Sequence, residues 1–191
     1  MTEGVVYIVD DDADLGASVA RLLHRHGFVA AAFPDQATLR PAHRARAADC
    51  LLTDMMLGDD DGFAVAEQLR RDDPHIAILF MTAWPTTAHA VDSIRRHGGL
   101  DYLEKPLDES RLLTAVTEGV VWSRRQRAAA ERLSTLSQRE RQVFDLLVQG
   151  HPNKVVAERL GLSPRTVEDH RASILLKTGS KGLAQLISLA Q

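Results

Sequence analysis

The sequence has little cysteine and no long apolar run. Cys50 is the only cysteine among 191 residues, which excludes an intrachain disulfide. Because it stands in an apolar run, we expect it to be a small buried hydrophobic side chain. No segment approaches the roughly 18 apolar residues that a membrane-spanning helix needs, and the first residues lack the basic start of a signal peptide. We therefore expect a cytoplasmic protein with no membrane partner.

Histidines are more frequent, with eight in the chain, but they do not form a metal-binding pattern. Structural zinc sites place cysteine and histidine at short, fixed spacings. His24, His26 and His43 are scattered, and no cysteine accompanies them at such a spacing. We do not expect a structural zinc site.

The net charge of −3 is unevenly distributed. Residues 1–107 contain 10 Lys and Arg against 17 Asp and Glu, whereas residues 137–191 contain eight against five. An acidic first part and a basic last part predict two domains with different partners. A small positive charge is typical of many solvated surfaces, so the prediction of a nucleic-acid partner also requires a binding motif.

The first part of the chain alternates short apolar runs with helical patterns. Continuously apolar strands predict a parallel sheet covered on both faces, and five of them predict a doubly wound α/β domain. The predicted strands are Gly4–Val9, Phe28–Phe33, Cys50–Asp54, Ile76–Met81 and Leu100–Leu103. The predicted helices are Asp14–His26, Pro34–Arg46, Phe63–Arg71 and Thr87–His97, with Pro41 expected to interrupt the second.

From Asp108 onward the pattern is helical. One long helix from Glu109 to about Leu133 is predicted to end the first domain and serve as a linker. Four helix segments follow: one starting at a capping box formed by Ser137 and Glu140, one over Asn153–Leu160, one from Pro164 to about Thr178, and one over Ser180–Ala190. Two short helices joined by a turn at Gly161 are typical of a helix-turn-helix. We predict domains over residues 1–122 and 136–191, joined by a helical linker over 123–135.

Polar residues follow the predicted strands at the edge where open α/β sheets bind ligands. They are Asp10, Asp11 and Asp12 after strand 1, Asp54 at the end of strand 3, Thr82 after strand 4 and Lys105 after strand 5. Clustered carboxylates require a cation, and Mg²⁺ fits best, while a lysine could hold a phosphoryl oxygen. Asp10–Asp12 alone could equally be an acidic helix N-terminus. Their joint occurrence with the other strand-end residues favours a phosphate-accepting site.

These motifs resemble the receiver domains of bacterial response regulators over about residues 4–122. The matching segments are Val6–Asp12, Leu52–Met56, Asp61-Gly62, Met81–Ala83 and Asp101–Pro106. The resemblance implies a flavodoxin-like strand order of 2-1-3-4-5 and phosphorylation of Asp54 by a sensor histidine kinase. It implies Mg²⁺ bound by Asp10, Asp11, Asp54 and the backbone carbonyl of Met56. It also implies Thr82 as the switch hydroxyl, Tyr102 as the switch aromatic, and Lys105 as a phosphoryl contact beside a cis peptide to Pro106.

Three features depart from the receiver pattern. Gly58 stands where the family usually has proline, which we expect to loosen the segment Asp59–Asp61. The stretch His97–Gly99 is one residue longer than is usual in the family. Trp84 lies two residues past Thr82, at a position that tunes dephosphorylation in the family, and we hypothesise that it shields the acyl phosphate. The alternative is a tryptophan packed in a surface loop.

Residues 136–191 resemble the LuxR-type helix-turn-helix of the NarL/FixJ group, and most closely the FixJ subfamily, through Leu136–Phe144, Gly150–Lys154 and Ala157–Arg171. The helix from Pro164 is then the recognition helix in the DNA major groove. The implied phosphate contacts are Lys154, Arg165, Thr166, Arg171 and Lys177. Glu168 and Asp169 occupy base-reading positions, where a carboxylate can accept from cytosine N4. Useful affinity should need a homodimer, with the last helix as the dimer contact.

Other functions fit the residues less well. Some phosphatases share the aspartate, Mg²⁺, threonine and lysine, but they carry a second Asp where this chain has Met56, so we do not expect an enzyme. A receiver domain that acts only through contacts with other proteins would not need the helix-turn-helix. The preferred interpretation is a transcription factor switched by phosphorylation, with promoter DNA and RNA polymerase as candidate partners. The alternative is a receiver-containing regulator that acts independently of phosphorylation, and activation by dimerisation or by relief of masking stays open.

Overall fold

A computed structural model describes residues 4–58 and 60–190. The chain divides into two compact units, Met1–Arg125 and Gln126–Gln191. The first unit contains all the strands and the second is helical. An α/β domain followed by a small all-α domain was the predicted fold class, and it is confirmed.

The sheet of the first unit has five parallel strands. The strands of the unit are β1 (Val5–Val9), β2 (Val29–Phe33), β3 (Cys50–Asp54), β4 (Met56–Leu57), β5 (Asp60–Asp61), β6 (Ala77–Thr82) and β7 (Asp101–Glu104). The order across the large sheet is β2-β1-β3-β6-β7. Counting only these five strands along the chain, this is the predicted order 2-1-3-4-5. The register pairs Val9 with Thr53 and Asp54 with Met81, so the carboxyl ends of the central strands lie at one edge.

The two remaining strands were not predicted from the sequence. β4 and β5 form a small antiparallel pair in which Met56 is opposite Asp61 and Leu57 is opposite Asp60. Gly58, in the turn between them, has a φ of +61°, a backbone conformation that favours glycine. The expected loosening of Asp59–Asp61 partly lies outside the described residues, because Asp59 is not among them.

Helices cover both faces of the sheet. They are α1 (Ala13–Arg25), α2 (Gln36–Ala45), α3 (Gly62–Asp72), α4 (Thr87–Arg95) and α5 (Glu109–Ser134). The expected interruption of the second helix at Pro41 is wrong, since α2 continues through that residue. α5 is the long helix predicted after Asp108.

Each face of the sheet has its own apolar core. Ile8 and Leu52 pack with α1 and α5 on one face, and Leu51 and Phe80 pack with α2 and α3 on the other. Cys50 is fully buried under α5, and its burial raises the pKa of the thiol. The expected role of Cys50 as a buried hydrophobic residue is therefore confirmed.

The second unit begins with the last residues of α5, and a capped helix follows. Its helices are α6 (Gln138–Val148), α7 (Asn153–Leu160), α8 (Pro164–Thr178) and α9 (Leu183–Leu189). Ser137 and Glu140 form the predicted capping box at the start of α6. Gly161 ends α7 in the left-handed conformation, and Ser163 caps α8. Among the described helices, none is both long enough and apolar enough to cross a membrane.

Candidate functional site

The carboxyl edge of the sheet brings together three carboxylates. Asp10 follows β1, Asp11 follows Asp10, and Asp54 ends β3. Each offers one oxygen atom, and these atoms lie within 4.8 Å of one another. Asp10 and Asp54 are buried, whereas Asp11 is exposed. A parallel sheet produces this cluster because the carboxyl ends of neighbouring strands meet at the same edge.

Lys105 reaches this cluster from the end of β7. Its Nζ lies 2.8 Å from Asp10 Oδ2 and 2.5 Å from Asp54 Oδ2. Burial lowers the pKa of the Lys105 ammonium, but its hydrogen bonds to the two carboxylates outweigh that effect, so its pKa is raised overall. The peptide bond between Lys105 and Pro106 is cis, as the sequence resemblance implied. The structure thus unites the lysine and the aspartates that were singled out from the sequence.

The remaining oxygens of the buried aspartates accept backbone hydrogen bonds. Asp54 Oδ1 accepts from the Met56 amide at 3.0 Å, and Asp10 Oδ1 accepts from the Asp12 amide at 3.0 Å. Burial raises the pKa of Asp10 above its usual range, and repulsion from Asp54 adds to this despite the hydrogen bond to Lys105. Three carboxylates close to one ammonium leave an excess of negative charge.

Asp12 has a different role from its two neighbours. Its side chain caps α1 by accepting hydrogen bonds from the amides of Asp14 and Leu15, both at 3.0 Å. The helix-capping alternative considered for the three aspartates therefore applies to Asp12, whereas Asp10 and Asp11 belong to the carboxylate cluster. The cluster fits a hard divalent cation such as Mg²⁺, because all of its donors are oxygen atoms.

Gly62 closes the site from the side of α3, which sequence reasoning missed. A Cβ atom at this position would clash with the carbonyl oxygen of Asp54 and approach Met55 Cα to 2.9 Å. Only glycine allows the first turn of α3 to come so close to the end of β3. The motif Asp61-Gly62 was noted in the sequence, but the contact that requires glycine becomes visible only in the fold.

Thr82 and Tyr102 lie on the neighbouring strands. Thr82 ends β6, is 2% exposed, and accepts a hydrogen bond from the Trp84 amide through Oγ1 at 3.2 Å. Tyr102 lies opposite Phe80 in the register of β6 and β7 and is half-buried. Burial raises the pKa of its hydroxyl. The Trp84 side chain is 67% exposed.

The longer turn before β7 is held by α3. The His97 ring stacks on Phe63 with a centroid separation of 4.1 Å, and its Nδ1 lies 2.8 Å from Glu67 Oε1. Arg70 donates to the carbonyl oxygens of His97 at 3.1 Å and of Gly98 at 2.7 Å. The sequence indicated an extra residue in this turn but gave no indication that one face of α3 binds it.

The second unit presents α8 with one face buried and one exposed. Val167 and Ile174 are buried in the core of this unit. Of the predicted DNA contacts, Lys154 on α7 and Arg165, Glu168 and Asp169 on α8 are exposed, whereas Thr166 and Arg171 are half-buried. The Thr166 hydroxyl lies 2.8 Å from that of Ser163, the cap of α8.

Lys177, also predicted to contact phosphate, forms an ion pair within the domain. Its Nζ lies 2.6 Å from Glu140 Oε2, and the Ser173 hydroxyl donates to Glu140 Oε1 at 2.6 Å. The hydrogen bonds from Lys177 and Ser173 lower the pKa of Glu140 to about 2. Glu140 therefore connects α6 to α8 in addition to capping α6, a role that its capping motif did not reveal.

Two family matches cover most of the chain. Residues 6–117 match the response regulator receiver domain, and residues 134–190 match the bacterial regulatory proteins of the luxR family. The transcriptional regulatory protein FixJ of Bradyrhizobium diazoefficiens is 32% identical, and the alignment covers 99% of this chain and 95% of that protein. FixJ of Azorhizobium caulinodans is 33% identical, over 97% of this chain and 90% of its own.

Two solved structures are similar to this chain over nearly its whole length. Full-length FixJ from B. japonicum has a TM-score of 0.58 and 30% identity, with 100% of this chain and 97% of that chain covered. The response regulator StyR has a TM-score of 0.54 and 30% identity, with 99% and 98% covered. The chain belongs to the bacterial response regulators that join a receiver domain to a luxR-type DNA-binding domain and regulate transcription through two-component signalling.

Proposed function

We propose that Asp54 accepts a phosphoryl group from a partner sensor histidine kinase and that this modification switches dimerisation and promoter binding. The observation that carries the proposal is the position of Asp54. Its carboxylate lies 2.5 Å from the Lys105 ammonium and shares a cluster with Asp10 and Asp11. A nucleophilic carboxylate beside a cation and further carboxylates is suited to receiving an anionic group with the help of a divalent ion.

In the transfer step, a carboxylate oxygen of Asp54 attacks the phosphorus of a phosphohistidine. The new O–P bond forms as the P–N bond breaks, and the electron pair of that bond stays on the imidazole nitrogen, which then takes a proton from solvent. The product is an acyl phosphate on Asp54 and a neutral histidine on the kinase. Lys105 is already hydrogen-bonded to Asp54, so its ammonium is positioned to bind a phosphoryl oxygen without a large movement.

Asp10, Asp11, Asp54 and the backbone carbonyl of Met56 would hold Mg²⁺ in this proposal. The ion supplies positive charge to the phosphoryl oxygens when it is bound. The excess of carboxylates over ammonium groups at the site supports a requirement for a divalent cation. Asp12 is not included, because its side chain is occupied as the cap of α1.

Phosphorylation would then shift a two-state equilibrium through Thr82 and Tyr102. The Thr82 hydroxyl accepts a hydrogen bond from Trp84, and its own proton is available to donate to a phosphoryl oxygen. Movement of Thr82 toward the phosphoryl group leaves space into which the half-buried Tyr102 ring can turn. The face formed by α4, β7 and α5 changes shape, and the phosphoryl group selects that state.

The output of the switch is DNA binding by the second unit. We propose domains over residues 1–122 and 136–191 with a helical linker over 123–135, and α8 as the recognition helix in the major groove. Lys154, Arg165, Thr166, Arg171 and Lys177 are the proposed phosphate contacts, and Glu168 and Asp169 the base-reading residues. Binding to two half-sites by a homodimer, with α9 as the dimer contact, would add the affinity that one small domain lacks.

The first experiment measures phosphorylation of the full chain by acetyl phosphate, followed by intact mass spectrometry. We expect the wild type to gain one phosphoryl group in Mg²⁺ and none in EDTA, and Asp54→Asn to gain none in either. Asp72→Asn is the matched control, because it removes a carboxylate of the same domain at the far end of α3, where it pairs with Arg40. Equal labelling of Asp54→Asn and wild type would refute Asp54 as the acceptor.

A further inference from the structure

The solvent face of α8 carries a continuous stripe of five exposed residues. They are Arg165, Glu168, Asp169, Ala172 and Leu176. Successive steps of three, one, three and four residues place them along one side of the helix, opposite the buried Val167 and Ile174. If α8 enters the major groove as proposed, this stripe faces the base edges.

The charge of this stripe is unusual for a surface that approaches DNA. It contains two carboxylates and one cation, Arg165. Among the ion pairs of the described residues, none includes Glu168 or Asp169, and both side chains are exposed. Lys177, further along the helix, is paired with Glu140. The two carboxylates are therefore available to a ligand, and they repel the phosphate backbone.

A carboxylate in the major groove needs a hydrogen-bond donor as its partner, because it can only accept. Cytosine offers its N4 amino group there, whereas guanine presents two acceptors and thymine an acceptor and a methyl group. Adenine places its amino group next to the acceptor N7, which repels a carboxylate and suits an amide better. Cytosine is thus the base that a carboxylate favours over the other three.

We propose that Glu168 and Asp169 make the promoter specificity of this protein depend on cytosine amino groups, and that they weaken its binding to all other DNA. Ala172, one turn further along the same stripe, adds a methyl group and no polar atom, which suits the methyl group of a thymine. The stripe therefore reads a pyrimidine-rich strand. Sequence-independent attraction comes from cations outside the stripe, such as Lys154 and Arg171.

This inference rests on the proposed role of α8 as the recognition helix. It adds that the carboxylates act as discriminators. At a site with cytosine each carboxylate gains a hydrogen bond, and at any other sequence it is a negative charge without a donor, close to phosphates. Removing a carboxylate should therefore strengthen non-specific binding while it weakens sequence preference, a combination that loss of an ordinary contact does not produce.

The test selects binding sites from a random duplex library with the full chain activated by beryllofluoride and Mg²⁺. We expect the wild type to enrich half-sites with fixed cytosines. Glu168→Gln and Asp169→Asn keep the size of the side chain but add a donor, so each should reduce the preference for its cytosine by about tenfold, or exchange it for adenine. Both variants should bind unrelated duplex DNA more tightly than the wild type.

Asp145→Asn is the control, since it removes a half-exposed carboxylate from α6 of the same domain. It should keep the wild-type preference and the wild-type affinity for unrelated DNA. Enriched sites without fixed cytosines, or sites that both α8 variants select unchanged, would overturn the inference while leaving the proposed function intact. If the wild type enriches no sequence at all, the proposed function itself fails and the inference fails with it. Thermal unfolding of each variant checks that its fold is unchanged.

Discussion

Lys105 Nζ lies 2.5 Å from Asp54 Oδ2, so the carboxylate proposed to accept a phosphoryl group is already paired with the ammonium proposed to contact that group. The same ammonium lies 2.8 Å from Asp10. One cation therefore serves two buried carboxylates, with Asp11 also in the cluster. Three carboxylates around one ammonium leave an excess of negative charge, which a ligand that brings positive charge would offset.

That excess predicts that Asp54→Asn stabilises the receiver when no divalent ion is present. Removing one carboxylate relieves repulsion on Asp10, and the single amide oxygen can still accept from Lys105, with loss of the hydrogen bond from the Met56 amide. We expect the free energy of unfolding in EDTA to rise by about 1 kcal/mol. Urea unfolding followed by tryptophan fluorescence measures it, because Trp84 and Trp122 both belong to the first unit. Addition of Mg²⁺ should stabilise the wild type more than the variant.

Glu118→Gln provides the comparison for this measurement, since Glu118 is an exposed carboxylate on α5. Its free energy of unfolding should change by no more than about 0.5 kcal/mol, as is usual for surface substitutions. A lower stability of Asp54→Asn than of wild type in EDTA would show that the ion pair with Lys105 outweighs the repulsion among the carboxylates.

Gly62→Ala should damage the site directly. The added Cβ would clash with the Asp54 carbonyl, so the backbone of β3 or α3 must move. We expect a loss of about 1–3 kcal/mol in stability and a phosphorylation rate reduced by up to about 100-fold, because small displacements of reacting groups are costly. Gly27→Ala is the control: its φ of +82° strains an alanine, but no atom lies within 4 Å of the new Cβ. It should lose stability and keep the phosphorylation rate. Equal rates for both variants would contradict the positioning role of Gly62.

The strand-end cluster could be predicted from the sequence because it depends on local patterns. Apolar runs locate the strands, a parallel sheet gathers their carboxyl ends, and polar residues follow each run. The contacts that complete the site depend on residues far apart in the chain. The need for glycine at position 62 comes from the carbonyl of Asp54. The hydrogen bond from Arg70 to the Gly98 carbonyl joins residues that are 28 positions apart in the sequence. No local pattern encodes either contact.

In the DNA-binding unit, too, local features could be predicted from the sequence and contacts between distant residues could not. The capping box of Ser137 and Glu140 spans three residues and was predicted, whereas the ion pair of Glu140 with Lys177 joins two helices across 37 residues. At Pro41 the local sequence led to a wrong prediction. Local propensity predicted an interruption, but α2 continues because Leu39 and His43 are buried on its inner face, and that packing holds the helix in place.

The lowered pKa of Glu140 predicts a pH-dependent contribution to the stability of the second unit. The folded pKa of about 2 lies below the usual 4.5, so the contribution is complete above pH 4.5 and is lost as the pH falls through about 2. A shift of this size corresponds to at most about 3 kcal/mol. Because the Lys177 side chain is 38% exposed, screening reduces it, and we expect about 1–2 kcal/mol.

Hydrogen exchange of α6 in the full chain measures this contribution. Glu140→Gln should lower the protection of α6 at pH 7, and the difference from wild type should shrink steadily below pH 4.5. Asp145→Asn removes a half-exposed ion pair of the same helix and should change protection by less than about 0.5 kcal/mol. A difference between Glu140→Gln and wild type that is as large at pH 2 as at pH 7 would mean that packing, not charge, explains the effect.

Trp84→Ala tests whether the tryptophan protects the acyl phosphate. If the indole limits the access of water to Asp54, its removal should speed dephosphorylation by about fivefold, which corresponds to about 1 kcal/mol in the barrier. The decay of the phosphorylated mass after removal of acetyl phosphate measures the rate. Val121→Ala, which shortens another exposed apolar side chain of the receiver, should leave it unchanged. An unaltered half-life in Trp84→Ala would leave the tryptophan as part of a surface loop, the alternative reading of its sequence position.

The most direct test of the central claim is size-exclusion chromatography with light scattering on wild type and Asp54→Asn, with and without beryllofluoride and Mg²⁺. We predict that the wild type is a monomer that becomes a dimer when beryllofluoride and Mg²⁺ are added, and that Asp54→Asn stays a monomer under both conditions. A wild-type mass that does not change, or a dimer that forms equally in Asp54→Asn, would contradict the claim that phosphorylation of Asp54 switches this regulator by dimerisation.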